Sequence, residues 1–175
     1  MLIWILRIVS YVFIFYLFYF SQELGRYLIG LWLGVPAGKI KIEMSEFPQR
    51  TAIHDGEKWI TSEEEKFLSA YARYDPLWDN GFLYACSGLF TESIFVIFLT
   101  IISLLVGWQE VALASVIVSF VLNLIQMFYS MYISWMTEAI KGDYTVIYVL
   151  DSRRAFSYVI MHFLLRIILL SLIFL

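Results

Sequence analysis

Cysteine and charged residues are both scarce in this chain. Cys86 is the only cysteine among 175 residues, which excludes an intrachain disulfide framework and a cysteine-rich metal site. We expect it to be a small apolar packing residue. Only 15% of the residues are charged, with a net charge of −3, and no basic block points to nucleic acid as a partner.

The apolar N-terminal run has no basic leader and no small-residue cleavage site, so we expect it to be a retained membrane span.

The composition is otherwise dominated by apolar residues. Hydrophobic residues make up 61% of the chain, including six Trp, twelve Tyr and fifteen Phe, whereas soluble domains are near half apolar. A membrane-spanning helix needs roughly 20 apolar residues, and four runs satisfy this. The sequence therefore predicts an all-α membrane protein that forms a single domain over residues 1–175. The predicted spans are 1–35, 82–106, 111–133 and 155–175.

The connections between the spans predict their orientation. Only residues 107–110 connect the second and third spans, and so short a connection makes these two helices antiparallel neighbours. With four spans, the first and third connections, residues 36–81 and 134–154, lie on the same side of the membrane. Because cytoplasmic loops are enriched in Lys and Arg, we expect both loops to be cytoplasmic and both termini to be non-cytoplasmic. The basic residues concerned are Lys39, Lys41, Arg50, Lys58, Lys66, Arg73, Lys141, Arg153 and Arg154.

The first loop carries signals for a small amount of local structure. Polar and apolar residues alternate over 39–44, as in a half-solvated strand, and Asp55-Gly56 is a tight-turn signal for a β-hairpin. Ser62 and Glu65 resemble a capping box that opens a helix from residue 63 to about 73. We expect a short amphipathic helix on the membrane surface. Its apolar face comprises Phe67, Leu68, Tyr71 and Tyr74.

Polar side chains interrupt every predicted span. Because a charged residue costs roughly 2.5–3.5 kcal/mol at the centre of a membrane helix, such residues usually face the protein interior and have a role. An intramembrane polar cluster is expected from Glu92, Asn123, Gln126 and Glu138. His162 and Arg166 lie in the fourth span, where we expect His162 to satisfy a neighbouring polar group.

His54 and Cys86 are two further residues with side chains capable of chemistry. We expect His54, which precedes the Asp55-Gly56 turn, to be a solvated loop residue. A thiol-protease pair of Cys86 with His54 is disfavoured, because no basic residue adjoins Cys86 in the sequence to lower its pKa.

The end of the first span contains a degenerate metalloprotease motif. Gln22-Glu23-Leu24-Gly25-Arg26 has the spacing of H-E-x-x-H, in which two histidines on one helix face bind zinc and the glutamate is the general base. Here Glu23 occupies the general-base position. Gln22 and Arg26 replace the two histidines.

This segment resembles the first core helix of the site-2 protease family of intramembrane zinc metalloproteases, whose usual text is H-E-L-G-H. Leu33-Gly34-Val35 is similar to that family's following L-G-V. The β-prone stretch that reaches Phe47-Pro48 resembles its short sheet, which ends near F-G-P.

Two later segments extend the resemblance. Residues 85–92 resemble the family's A-G-P-x-x-N segment, with Gly88 kept and Leu89 and Glu92 in the proline and asparagine positions. Residues 141–147 resemble the segment in which an aspartate supplies the third zinc ligand, and Asp143 stands at that position.

The departures from the family pattern imply a protein without zinc proteolysis. A guanidinium group has no free lone pair for a metal, and an amide oxygen is a poor zinc ligand. We expect no cofactor and, in place of the metal, an ionic lock in which Arg26 pairs with Glu23, Glu92 or Asp143. The resemblance then implies a catalytically inactive binding, regulatory or accessory subunit, whose partner besides the lipid bilayer is another membrane protein or a membrane-inserted peptide.

Three alternatives stay open from the residues alone. One is an active hydrolase in which Glu23, Glu92, Glu138 and Asp143 form a metal site of oxygen ligands. The second is a structural or transport-complex subunit without protease ancestry, whose buried charges serve helix association. The third treats Glu23 and Arg26 as an ordinary intrahelical ion pair and Asp143 as a loop acid.

Overall fold

The computed structural model describes residues 2–45, 49–62, 64 and 66–174. Among them, four helices are long and apolar enough to cross a membrane, which confirms the prediction of an all-α membrane protein. These helices are α1 (Leu2–Trp32), α3 (Gly81–Leu105), α4 (Gln109–Thr137) and α6 (Ser152–Ile173). Two short helices, α2 (Phe67–Tyr71) and α5 (Asp143–Leu150), lie in the connections.

Helix α1 runs without a break through its polar segment and ends at Trp32, close to residue 35, where the predicted first span ends. The N–H of Gly34 donates to the carbonyl of Leu31 (3.1 Å) and that of Val35 to the carbonyl of Gly30 (3.0 Å). This is the Schellman pattern, which needs a left-handed residue after the helix. Gly34 supplies it with φ +98°. Val35, which follows, is buried in the apolar cluster beneath the sheet.

Glycines let α1 and α3 approach each other closely. A Cβ atom on Gly25 would lie 2.4 Å from Thr91 Oγ1 and 2.6 Å from the carbonyl oxygen of Ser87. On Gly88 it would lie 3.1 Å from the carbonyl oxygen of Gln22. Small residues at such contacts permit the close backbone packing that holds membrane helices together. This contact buries the polar end of α1 against α3.

The first loop forms a three-stranded antiparallel sheet in its described part. Its strands are β1 (Ile40–Glu43), β2 (Arg50–His54) and β3 (Trp59–Thr61), in that order. The hairpin predicted at Asp55-Gly56 is confirmed: Ile53 pairs with Ile60. The backbone N–H groups of Lys58 and Glu57, each 2.9 Å away, lower the pKa of the Asp55 carboxyl. Phe47-Pro48 lies outside the described residues.

Helix α2 differs from its prediction in length and in contacts. It covers five residues rather than the expected 63 to about 73, and Glu65 of the proposed capping box lies outside the described residues. Phe67 and Tyr71 are buried in a cluster with Ile40, Ile53 and Tyr84, and the rings of Tyr71 and Tyr84 stack at 4.1 Å. The apolar face therefore packs on the sheet and α3. Phe67 and Tyr71 are therefore not available to contact lipid, and the location of α2 at a membrane surface stays a prediction.

The second loop, predicted over 134–154, is shorter than expected because helices occupy most of it. Helix α4 continues to Thr137 and ends at Glu138, which has a left-handed φ of +52°. Gly142 then turns the chain with φ +79° against Ser130. Helix α5 follows at once, and Asp151 caps α6 by accepting from the N–H of Arg154 (3.0 Å).

Substitution of Gly25 tests the close contact of α1 with α3. Gly→Ala inside a helix ordinarily stabilises by about 1 kcal/mol, but at Gly25 the new methyl group overlaps backbone and side-chain atoms of α3. We expect Gly25→Ala to lower the thermal unfolding temperature in detergent. The loss in the free energy of unfolding should be about 1–3 kcal/mol. Gly38→Ala is the matched control, since nothing lies within 4 Å of its Cβ position. An equal or higher unfolding temperature for Gly25→Ala would contradict this packing.

Candidate functional site

The polar end of α1 is buried inside the protein. Gln22 and Glu23 are each 1% exposed and Arg26 is 7% exposed. Helix α3 covers them at Gly88, and strand β2 covers them from the loop side, where Thr51 contacts Glu23. A group that is polar, buried and placed within a membrane span requires partners.

Arg26 joins two carboxylates from distant parts of the chain. Its Nη1 donates to Glu23 Oε1 and its Nη2 donates to Asp143 Oδ2. Glu23 Oε2 in turn accepts the backbone N–H of Thr51 (2.8 Å), and the Thr51 hydroxyl donates to the Glu23 carbonyl (2.9 Å). We call Glu23, Arg26 and Asp143 the arginine triad. Two of the three partners expected for Arg26 are confirmed.

The amide of Gln22 has a partner of its own. Gln22 Nε2 donates to Gln126 Oε1 (3.1 Å), and Gln126 Nε2 donates back to Gln22 Oε1 (2.8 Å). This reciprocal pair connects α1 with α4, and it satisfies the acceptor that a metal would need. Gln126 was expected in a polar cluster with Glu92, whereas the structure pairs it with Gln22.

The residues at the motif do not fit a zinc ion. Arg26 occupies the space between Glu23 and Asp143 with a cation that has no lone pair to donate, and the Gln22 amide oxygen is engaged by Gln126. Within the described ranges, no three His, Cys, Asp or Glu side chains come together as a metal site. The oxygen-ligand set of Glu23, Glu92, Glu138 and Asp143 is therefore not assembled.

Glu92 belongs to a second polar network deeper in the bundle. Both Glu92 and Arg166 are fully buried, and Arg166 Nη2 donates to Glu92 Oε2 (2.7 Å). Asn123 Nδ2 donates to the same oxygen (2.9 Å), and Ser119 donates to Glu92 Oε1. The expected pairing of Glu92 with Arg26 is wrong. The acid of α3 is neutralised by α6 instead.

Three further residues complete this Glu92–Arg166 network. Arg166 Nη1 donates to Ser93 Oγ (2.9 Å) and to the carbonyl of His162 (2.8 Å). His162 Nδ1 lies 3.0 Å from Ser93 Oγ, which agrees with the polar neighbour expected for this histidine. The Tyr144 hydroxyl donates to Asn123 Oδ1 (3.0 Å). Since Tyr144 follows Asp143, the start of α5 contacts both the arginine triad and the Glu92–Arg166 network.

Other candidate residues lie outside both networks. Glu138 is exposed at the end of α4, so its expected membership of an intramembrane cluster is wrong. His54 is half-buried in β2, where its ring contacts Trp59 at 5.1 Å, rather than being a solvated loop residue. Cys86 is buried in an apolar cluster with Leu89 and Ile147, as expected of a packing residue.

A cleft of about 500 Å³ opens between α1 and α4 and ends at the arginine triad. Its outer walls are apolar and include Val12, Phe15 and Ile125. These side chains are 62%, 43% and 56% exposed. At the loop end the lining becomes polar, with Arg50 and Lys141 beside the triad. The volume lies in the usual range of ligand sites.

Comparison of the chain with protein-family models, with curated proteins and with solved structures found no match in any of the three. The site-2 protease resemblance stays a prediction from the residues.

Sequence reasoning missed the partners rather than the buried charges. Thr51 carries no signal that it would contact Glu23, because its position depends on how β2 packs against α1. Ser119 and Tyr144 are likewise ordinary in sequence. The spacing of His162 and Arg166, four apart on one helix face, was the one available signal for the Glu92–Arg166 network.

Paired substitutions test the Glu92–Arg166 network. Arg166→Leu leaves the Glu92 carboxylate buried without its cation, and we expect a loss of about 3–5 kcal/mol in the free energy of unfolding. The double variant Glu92→Leu/Arg166→Leu removes both charges, so its loss in the free energy of unfolding should be much smaller than that of Arg166→Leu. Equilibrium unfolding in mixed detergent micelles measures both. Arg7→Leu breaks the exposed pair with Glu110 and is the control, with an effect within about 1 kcal/mol. A double variant as unstable as Arg166→Leu would contradict the pairing.

Proposed function

We propose that the protein is a non-catalytic relative of intramembrane zinc metalloproteases that binds an apolar membrane segment of another protein in the cleft between α1 and α4. It would act as a binding, regulatory or accessory subunit of a membrane complex. The observation that carries the proposal is the position of Arg26, whose guanidinium lies between Glu23 and Asp143 at the closed end of the cleft.

The chemistry of that position supports the proposed absence of proteolysis. In a metalloprotease of this type, a glutamate must be free to take a proton from metal-bound water. Here both oxygens of Glu23 accept hydrogen bonds, one from Arg26 and one from the N–H of Thr51. The group in the general-base position is thus held by a fixed cation and by the sheet.

The binding role is supported by the walls of the cleft. Val12, Phe15 and Ile125 have large apolar side chains that are turned into a concavity between two candidate membrane spans. Helix association in membranes is favoured by van der Waals packing into such surfaces. A cleft of about 500 Å³ has room for several side chains of one face of an inserted helix, rather than for a whole helix.

Filling the cleft should prevent a membrane segment from binding. A leucine–alanine helix of about 22 residues, labelled with an acceptor dye, is incorporated with the protein into phosphatidylcholine nanodiscs. The protein carries a donor dye at Leu77→Cys, a position 81% exposed. We expect energy transfer from the dye on the unsubstituted protein to the dye on the peptide. The Ile125→Trp variant, whose indole occupies the cleft, should bind the peptide with several-fold lower affinity.

Ile117→Trp is the matched control for cleft filling, because Ile117 lies on the same helix, is 45% exposed and does not line the cleft. It should bind the peptide as the unsubstituted protein does. Equal binding by both tryptophan variants would place the peptide elsewhere on the protein and contradict the proposal.

Restoring the two histidines tests the metalloprotease relationship. Residues 22 and 26 share a helix face, and Asp143 contacts the side chain at position 26. We therefore expect Gln22→His/Arg26→His to bind about one zinc ion per protein with these ligands, measured by metal analysis after dialysis. Gln22→His/Arg26→Ala offers a single imidazole and should retain far less. Failure of the double-histidine variant to retain more zinc than this control would count against the relationship.

A further inference from the structure

The residues that line the cleft fall on one face of each of its two helices. On α1 they lie three or four positions apart from Val12 to Arg26, which is the spacing of a single helix face. On α4 the same spacing holds for Leu122, Ile125, Gln126, Tyr129, Ser130 and Ile133. The cleft is therefore a groove that runs parallel to both helices, and an occupant that packs along it is a third helix.

Gln126 keeps unused hydrogen-bonding capacity in this groove. A carboxamide has two N–H donors and two acceptor lone pairs. The reciprocal pair with Gln22 uses one donor and one lone pair of Gln126, and no other residue in the described part of the chain takes the rest. Gln22 is 1% exposed, whereas Gln126 is half-buried and lines the cleft. The remaining N–H and lone pair of Gln126 are thus open to an occupant.

A purely apolar helix would leave these polar atoms without partners. Leu122, Ile125 and Ile133 surround Gln126 on the groove face of α4, so a helix packed on them also covers the carboxamide. A covered donor or acceptor is costly unless it is hydrogen-bonded. Amide and hydroxyl side chains supply such bonds between membrane helices.

The depth of Gln126 follows from its place on α4. At the other end of this helix Trp108 is 62% exposed and Glu110 forms an exposed ion pair with Arg7. Tryptophan and charged side chains favour the membrane–water interface. Gln126 lies about 24 Å further along α4 in a hydrocarbon core that is about 30 Å thick. Its carboxamide is therefore about 6 Å inside the loop-side boundary of that core.

We propose that the membrane helix bound in the cleft carries an uncharged hydrogen-bonding side chain, of the Asn, Gln, Ser or Thr class, level with Gln126. This side chain accepts from the remaining N–H of Gln126 or donates to its remaining lone pair, about 6 Å inside the loop-side boundary. The proposal rests on the proposed function and specifies the chemistry of its partner.

Three matched peptides test this partner in the nanodisc assay. Each is a leucine–alanine helix of about 22 residues. The first is purely apolar, the second carries an Asn in place of Leu about 6 Å inside each end, and the third carries two Asn residues at its centre. Asn and Leu are similar in size, so the peptides differ mainly in hydrogen bonding. We expect the second peptide to bind about three- to tenfold more tightly than the first, and the third to show no such gain.

Substitution of the paired amides locates the hydrogen bond. Gln22→Leu/Gln126→Leu removes both carboxamides and so leaves neither of them buried without its partner. In this variant we expect the preference for the second peptide to be lost, and the thermal unfolding temperature in detergent checks that the variant is folded. Gln109→Leu is the matched control, because it removes an exposed carboxamide of the same helix outside the cleft. It should leave the preference unchanged.

The outcomes separate this partner from the proposed function. Equal binding of the first and second peptides overturns the hydrogen-bonding partner but leaves the cleft as a binding site. An equal gain from the central Asn residues, or a preference that persists in the folded Gln22→Leu/Gln126→Leu variant, overturns it as well. Binding of none of the peptides overturns both proposals.

Discussion

The pairing of a buried guanidinium with two carboxylates is the interaction on which the loop end of this protein depends. Charges inside a membrane protein are tolerated only where they are matched, and Arg26 matches an acid on its own helix and another 117 positions later. Thr51 completes the coordination of Glu23 through its N–H. One side chain thereby holds α1, β2 and α5 in a single arrangement.

Helix α5 is placed by two polar networks at once. Asp143 contacts Arg26, and the next residue, Tyr144, donates to Asn123 of the Glu92–Arg166 network. That network connects α3, α4 and α6 through fully buried charges. Because adjacent residues of one short helix reach both networks, the position of α5 is constrained from two sides. The cleft between α1 and α4 ends beside this junction, at the arginine triad.

Local signals predicted much of the fold. The hairpin at Asp55-Gly56 and the four spans depend on neighbouring residues, and both were predicted. Two of the three acids expected to pair with Arg26, Glu23 and Asp143, do so. The choice between Asp143 and Glu92 was not predictable, because both acids are distant in sequence and only the packing of α3 against α6 assigns Glu92 to Arg166.

The sequence by itself determined that the chain is apolar enough for four membrane helices and that several charges would have to be buried among them. It determined this because hydropathy and helical spacing are properties of a segment and its neighbours. Only the tertiary structure decided which charges meet, that Glu138 stays exposed, and that the apolar face of α2 covers the sheet. Those outcomes depend on contacts between distant segments, where a close approach such as that of Gly25 to α3 decides which side chains can reach one another.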